Sequence, residues 1–349
     1  MARLITISNR VTDSIKQLLA NNVLGTPGRS MVYQQLNTLI KIGRIPSPIF
    51  TSIVRNDKTL GTCCFCEREE ENQNNYYVRY FSFDHNYRSS SAKRYKTKKN
   101  SRLRTEIKDF LSGKLFSSSR SSLFYAYVDP NNTRSQTLCD EFGFETIRKF
   151  RTYNFSRFNP SRNIKVTKAT KEEYPQIQEL LQDQYKKHSC YTEENLFYNG
   201  DYYILKNSDN QIIAGVQANP EYWNIISLAG KHGRTLIETV SKLPFVNKLI
   251  NNNFKFVALD YLFSKQASKE EIQSLIESTL VIHQMNTAII SVDLDSYEAA
   301  LMSSMNLGLL NKINSAVDAS VICKINNFST EKRKELFNRP FFISTFDLT

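Results

Sequence analysis

The sequence predicts an α+β chain built as two copies of one unit. Three observations carry this reading. The order of strands and helices found before Phe155 returns after Asn163, which is the mark of an internal repeat. Residues 123–155 combine a strand, an Asx turn, a short helix, a Gly-Phe step and a second strand, an uncommon arrangement. The 349 residues, 40% apolar and 23% charged, suffice for two ordinary globular cores.

The first copy reads in order as follows. Leu4 to Ile7 is a short strand, and Asp13 to Leu19 places Ile15, Leu18 and Leu19 at helical spacing. Residues 22–30 hold two glycines and Pro27 and read as loop, and Val32 to Ile42 reads as a second helix. Ile49 to Val54, a turn at Asn56-Asp57-Lys58, and Leu60 to Glu67 make a hairpin. Arg68 to Asn75 is polar and reads as a loop before the aromatic strand Tyr76 to Phe83. Leu103, Ile107, Phe110 and Leu111 share one face of a helix starting near Ser101. Leu123 to Val128 is aromatic and β-branched and reads as a buried strand. Asp129-Pro130-Asn131-Asn132 breaks it, because Pro lacks a donor and Asx side chains bond their own backbone. Asn132 can then cap a short helix, and Gly143 can end it in the left-handed region.

Arg157 to Arg162 reads as the linker, dividing the chain into 1–158 and 159–349. The second copy repeats a strand at Ile164 to Thr167, a helix at Glu172 to Tyr185 and a hairpin over Tyr202 to Val216. The aromatic strand returns at Phe254 to Phe263, followed by a helix from Lys269, a strand from Ala288 and a helix ending at Leu307-Gly308-Leu309. Counting back from Gly308 puts Tyr297 where Asn132 stands in the first copy. Ala319 to Ile325 is the last strand, and Arg339 to Thr349 is an apolar tail expected to pack back on the body.

Residues 123–155 resemble the closing segment of the GNAT superfamily of N-acetyltransferases, with Asn132, Ser135, Leu138, Gly143 and Phe144 on the matching positions. The resemblance implies tandem GNAT-like domains, each a mixed, mostly antiparallel central sheet flanked by helices. It implies acyl transfer from acetyl-CoA to an amine by direct attack, with the first copy as the cofactor-binding one and the second diverged. It places the pantetheine arm against backbone groups of Phe81 and Phe83. It places the pyrophosphate at the turn after that strand, where the match reaches Arg88 and then stops. Ser89-Ser90-Ser91-Ala92 stands where the family has glycines, and glycine-free backbone cannot approach a phosphate as closely. The expected cofactor-binding set is therefore Phe81, Phe83, Arg88, Ser89, Ser90, Arg102, Asn132 and Ser135. A family tyrosine that protonates the leaving thiolate is replaced by Cys139 here. Glu67 and Glu69 are candidate bases, and no catalytic residue is assigned.

The net charge of +12 favours a polyanionic partner without choosing among nucleic acid, an acidic membrane surface and a phosphate-rich cofactor. The densest basic run, Lys93 to Arg104, suits the phosphates of coenzyme A. Only Tyr95 interleaves with its first charges, so a nucleic-acid stacking platform is poorly supported. Cys63, Cys64 and Cys66 sit in one strand, with Cys64 and Cys66 on one face and Cys63 on the other. No second Cys or His pair follows at zinc spacing, which argues against a metal. Met1-Ala2-Arg3-Leu4 opens no secretory leader, and no apolar run reaches the roughly 20 residues of a membrane helix, so a reducing cytoplasm is expected. The partner expected is a small-molecule or peptide amine, with no membrane. Two alternatives stay open: a non-catalytic relative that binds an acyl-CoA or a protein, and a basic nucleic-acid-associated protein.

Overall fold

Strand pairing joins both copies into one sheet. The structure, a computed structural model, describes residues 4–70, 73–84, 102–113, 120–265, 267–313 and 318–349. The first copy runs β1 (Ile5–Ser8), α1 (Asp13–Ala20), β2 (Val32–Gln35), α2 (Thr38–Ile42), β3 (Pro48–Arg55), β4 (Lys58–Glu70) and β5 (Gln73–Phe83). It continues through α3 (Arg102–Leu111), β6 (Ser121–Val128), α4 (Thr133–Glu141) and β7 (Glu145–Ser156). The second copy runs β8 (Val166–Lys168), α5 (Tyr174–Tyr185), β9 (Tyr202–Lys206), β10 (Ile212–Ser227), α6 (Gly233–Val240) and β11 (Asn253–Ser264). It closes with α7 (Lys269–Ile282), β12 (Thr287–Asp293), α8 (Tyr297–Ser304), α9 (Leu309–Ile313), β13 (Asp318–Asn326), α10 (Thr330–Asn338) and α11 (Thr345–Leu348).

The strand order β1-β3-β4-β5-β6-β13-β7-β12-β11-β10-β9-β8 is symmetric about its centre. Each copy contributes an antiparallel run that ends on a parallel pair, β5 with β6 and β11 with β12. The mixed, mostly antiparallel sheet expected for each copy is thus present. The last strand of each copy is exchanged: β13 pairs with β6, and β7 pairs with β12. The two exchanged strands also pair with each other, where Arg151 meets Asp318, and Arg148 pairs with Asp293 of the neighbouring β12.

The local signals act as their chemistry dictates. Asn56 and Asp57, both with positive φ, close a two-residue hairpin between Arg55 and Lys58, as twisted strands require. Asn132 caps α4 by accepting the Ser135 amide at 3.1 Å, and Gly143 sits at φ 79° just past the helix end. Cys64 and Cys66 face one core and Cys63 another, as strand alternation demands.

Three expectations are corrected. Val32 to Ile42 is not one helix: Val32–Gln35 pairs with the far end of β10, where Tyr33 stacks on Trp223 at 4.1 Å, and only five residues of α2 follow. The long β10 offers an open edge there, and tertiary pairing overrides helical spacing. Arg68 to Asn75 is not a loop, since β4 extends to Glu70 and β5 starts at Gln73. The side chains of Arg68, Gln73 and Asn75 are buried and hydrogen-bonded, where composition alone reads the stretch as solvated. The counterpart of Asn132 is Ser296, whose hydroxyl accepts the Ala299 amide, one residue before Tyr297. No helix among the described residues is long and apolar enough to cross a membrane.

Candidate active site

The site begins where a ladder stops. β5 and β6 pair in parallel from Gln73↔Ser121 to Tyr77↔Tyr125, and no pairing continues beyond. β5 carries a bulge just past that point. Thr62 pairs with Ser82 but Cys64 with Arg79, so Cys63 faces both Tyr80 and Phe81, and Tyr80 takes φ 54°. The bulge turns β5 away from β6 and opens a cleft of about 670 Å³. Its walls are mostly apolar on one side of the sheet: Cys63 and Phe65 from β4, Ile107 and Phe110 from α3, Leu138 and Cys139 from α4. It passes through to the opposite face, where Gln35, Thr38, Arg79, Asp347 and Leu348 line it.

Phe81, Phe83 and Ser135 are brought together on this cleft. The Phe81 and Phe83 rings meet edge-on at 5.0 Å, and Phe83 lies over Gly61, where a Cβ would stand 2.5 Å from the ring. Gly61 therefore lets the aromatic rim lie flat. Asn132 does not line the cleft; it acts on it through α4, whose first turn it caps. Arg102 is half exposed, pairs with Glu106 at 3.2 Å, and is not a cleft residue. Arg104 lines the cleft instead and pairs with Glu141. Arg88, Ser89 and Ser90, and the basic run as far as Ser101, lie outside the described residues. Glu67 accepts the Tyr76 hydroxyl at 3.2 Å and does not line the cleft, and the Glu69 side chain is outside the described set. Burial pushes the Cys139 thiol up to about 11, so it stays protonated near neutrality.

A buried ionic cluster, absent from the expectations above, backs the far face. Arg68 donates from Nε to Glu194 at 2.7 Å, from Nη1 to the Tyr125 hydroxyl at 2.5 Å and from Nη2 to Asp347 at 2.6 Å. Arg79 donates to the other Asp347 oxygen at 3.2 Å, and Asn195 to the same oxygen at 3.1 Å. Burial alone would raise the Asp347 carboxyl, but Arg68 and Arg79 hold it below the ordinary carboxylate range. Such a carboxylate is a poor base and a good anchor. Burial pulls the Lys41 ammonium down to about 8 against the attraction of Glu221, its partner at 2.5 Å. A charge inside the aromatic strand (Arg79) and another in the apolar tail (Asp347) were the signals by which sequence could have found these residues.

The second copy repeats the geometry and closes it. The β10–β11 register shifts between Gly215↔Phe263 and Gln217↔Asp260, and Tyr261 takes φ 48° as Tyr80 does. Here the chain's own residues 341–349 fill the gap. Thr345 Oγ1 accepts the Ser291 amide at 2.8 Å, and Asp260 accepts the Ser344 hydroxyl at 2.7 Å and the Phe346 amide at 3.1 Å. The void left is about 20 Å³, room for about one water. The helix ends differ too. The first turn of α7 carries Glu270 and Glu271, with Ser268 and Glu271 in a capping box, whereas the first turn of α3 holds no acid. The two glutamates disfavour an anion at the start of α7, a repulsion absent from the first turn of α3.

No protein-family model matches the sequence, and no curated protein matches it in sequence. Solved structures match it in fold over nearly its whole length. N-myristoyltransferase of Saccharomyces cerevisiae with bound myristoyl-CoA superposes with a TM-score of 0.58 at 9% identity, covering 97% of this chain and 89% of that one. A GCN5-related N-acetyltransferase from Sphaerobacter thermophilus gives 0.50 at 8% identity, covering 93% and 96%. The GCN5-related glucosamine N-acetyltransferase region of a fungal multi-domain GH3 β-N-acetylglucosaminidase gives 0.55 at 8% identity, covering 91% of this chain and 38% of that chain. The fold of this chain is the GNAT-like fold in tandem.

Proposed function

We propose that the chain is an acyltransferase that takes an acyl group, acetyl in the first instance, from acyl-CoA and passes it to an amine. The observation that carries this is the through-sheet cleft at the end of the β5–β6 ladder, open in the first copy and filled in the second. An elongated thioester with an anionic end fits it: an apolar passage, a cationic rim at Arg104, and no acid in the first turn of α3. Residues 1–158 form the acetyl-CoA-binding unit in this reading, with Phe81, Phe83 and Ser135 along the arm and Arg88, Ser89, Ser90 and Arg102 toward the phosphates. Residues 159–349 form the diverged unit that builds the opposite wall.

Acetyl-CoA supplies an activated acyl carbon. The amine nitrogen bonds to that carbon, the carbon–sulfur bond breaks with its electron pair going to sulfur, one proton leaves nitrogen and one ends on sulfur. The chain orients the two reactants from opposite faces and excludes water with its aromatic walls. Backbone donors at the bulge can stabilise the charge that develops on the carbonyl oxygen.

Calorimetric titration with acetyl-CoA tests the reading. One site of micromolar affinity is expected, weakened at least tenfold by Ser135→Trp, which fills the cleft. Absence of binding would overturn the proposal, and two sites would overturn the closure of the second copy.

A further inference from the structure

The acceptor face of the open cleft carries a guanidinium with spare donors. Arg79 is the first charged residue of β5 past the end of the parallel ladder, on the face it shares with Tyr77 and opposite α3 and α4. Its side chain is only 9% exposed, and it lines the cleft. Among the described residues it makes one hydrogen bond, from Nη1 to Asp347, although a guanidinium has five N–H donors. Arg68, beside it on the same carboxylate, is used at all three nitrogens. No Arg79 nitrogen is among the sealed atoms without partners, so its spare donors face the cleft space. The Tyr80 ring at 4.3 Å and the Tyr77 ring at 5.7 Å hold the plane of the group.

The donor reaches the cleft past Arg104 on the α3 side, so the free edge of Arg79 is left for the acceptor. A planar fork of donors, nine-tenths buried and held on aromatic rings, matches a carboxylate better than a lone carbonyl or a rounded ammonium. We propose that Arg79 selects the acceptor: the amine acylated here carries a carboxylate, which the free edge of the Arg79 guanidinium binds while the amine meets the thioester. This rests on the acyltransferase reading and names its substrate class.

The test offers each common amino acid and its carboxamide to the full chain with saturating acetyl-CoA, reading N-acetyl product by mass spectrometry and acetyl-CoA affinity by calorimetry. The carboxylate form is expected to exceed the carboxamide in kcat/KM by about 10- to 150-fold, the range of a charge-assisted hydrogen bond. Arg79→Lys, which keeps the charge toward Asp347 and loses the fork, is expected to bring that ratio below about 3-fold with acetyl-CoA affinity unchanged within twofold. Equal use of carboxamides overturns the proposal, as does acetyl-CoA binding with no amino acid acylated, or an unchanged ratio in Arg79→Lys. If Arg79→Lys does not fold, the wild-type ratio alone decides. Failure of the wild type to bind acetyl-CoA would instead fell the acyltransferase reading.

Discussion

Replacing Asp347 by Asn removes one charge from the cluster that ties the chain's final segment to the first-copy strands. The Asp347 side chain is 1% exposed and its two arginines 7% and 9%. The substitution keeps the shape but leaves Arg79 with no anionic partner among the described residues and Arg68 with Glu194 alone. Breaking a buried pair by removing one partner costs about 3–5 kcal/mol, because the survivor stays desolvated. With a guanidinium slope of about 6 kcal/mol/M for a chain of this size, the unfolding midpoint should fall by roughly 0.5–0.8 M. Both copies should shift together, because residues 341–349 fill the second cleft while Asp347 grips β4 and β5. Equilibrium denaturation followed by tyrosine and tryptophan fluorescence reads this, the single Trp223 reporting the second copy. A shift below about 0.2 M, worth about 1 kcal/mol on that slope, would refute the claim that this cluster holds the copies together. The pH dependence has a definite sign. The folded carboxyl lies below its unfolded value of about 3.9, so its contribution is whole above pH 4 and is lost as the pH falls further.

Two further outcomes are expected. Asn132→Ala should cost about 1 kcal/mol by freeing the Ser135 amide, and should raise hydrogen exchange in the first turn of α4 while leaving β12 unaffected. An unchanged exchange rate there would show that the cap is idle. Burial raises the Asp260 carboxyl to about 7 despite the hydrogen bonds it accepts from Ser344 and Phe346. Its folded value lies above the unfolded 3.9 or so, so its stability contribution is whole below pH 4 and is lost as the pH rises through 7. Asp260→Asn should therefore flatten the stability profile between pH 4 and 7; an identical slope in the variant would count against it.

Much of the candidate site was legible from short-range signals. Phe81, Phe83 and Ser135 were reached through the resemblance of residues 123–155, and all three line the cleft. Arg102 was named for its charge, but the helix turns Arg104 to the cleft instead, a matter of helical phase. Arg68 and Glu194 were illegible because each is polar in a polar stretch and its partners come from elsewhere in the chain.

By itself the sequence determined most of the elements, their order and their repetition, with Val32–Gln35 and the strand ends at Glu70 and Gln73 as the exceptions. Hairpin turn, helix cap and glycine stop each close within a few residues, and their chemistry needs no distant partner. Tertiary structure alone decided which strands meet and which cleft stays open. β7 and β13 are both plausible neighbours for β6 by side-chain alternation, because a ladder is made by backbone groups common to every residue. The exchanged arrangement is the one that brings Arg151 to Asp318 and Arg148 to Asp293, residues far apart in the sequence. Likewise, the apolar tail was expected to pack back, but its seat in the second cleft depends on Thr345 meeting the unpaired Ser291 amide and Ser344 meeting Asp260. Those contacts satisfy buried polar groups that a splayed sheet would otherwise leave unpaired, and only the folded chain brings them within reach.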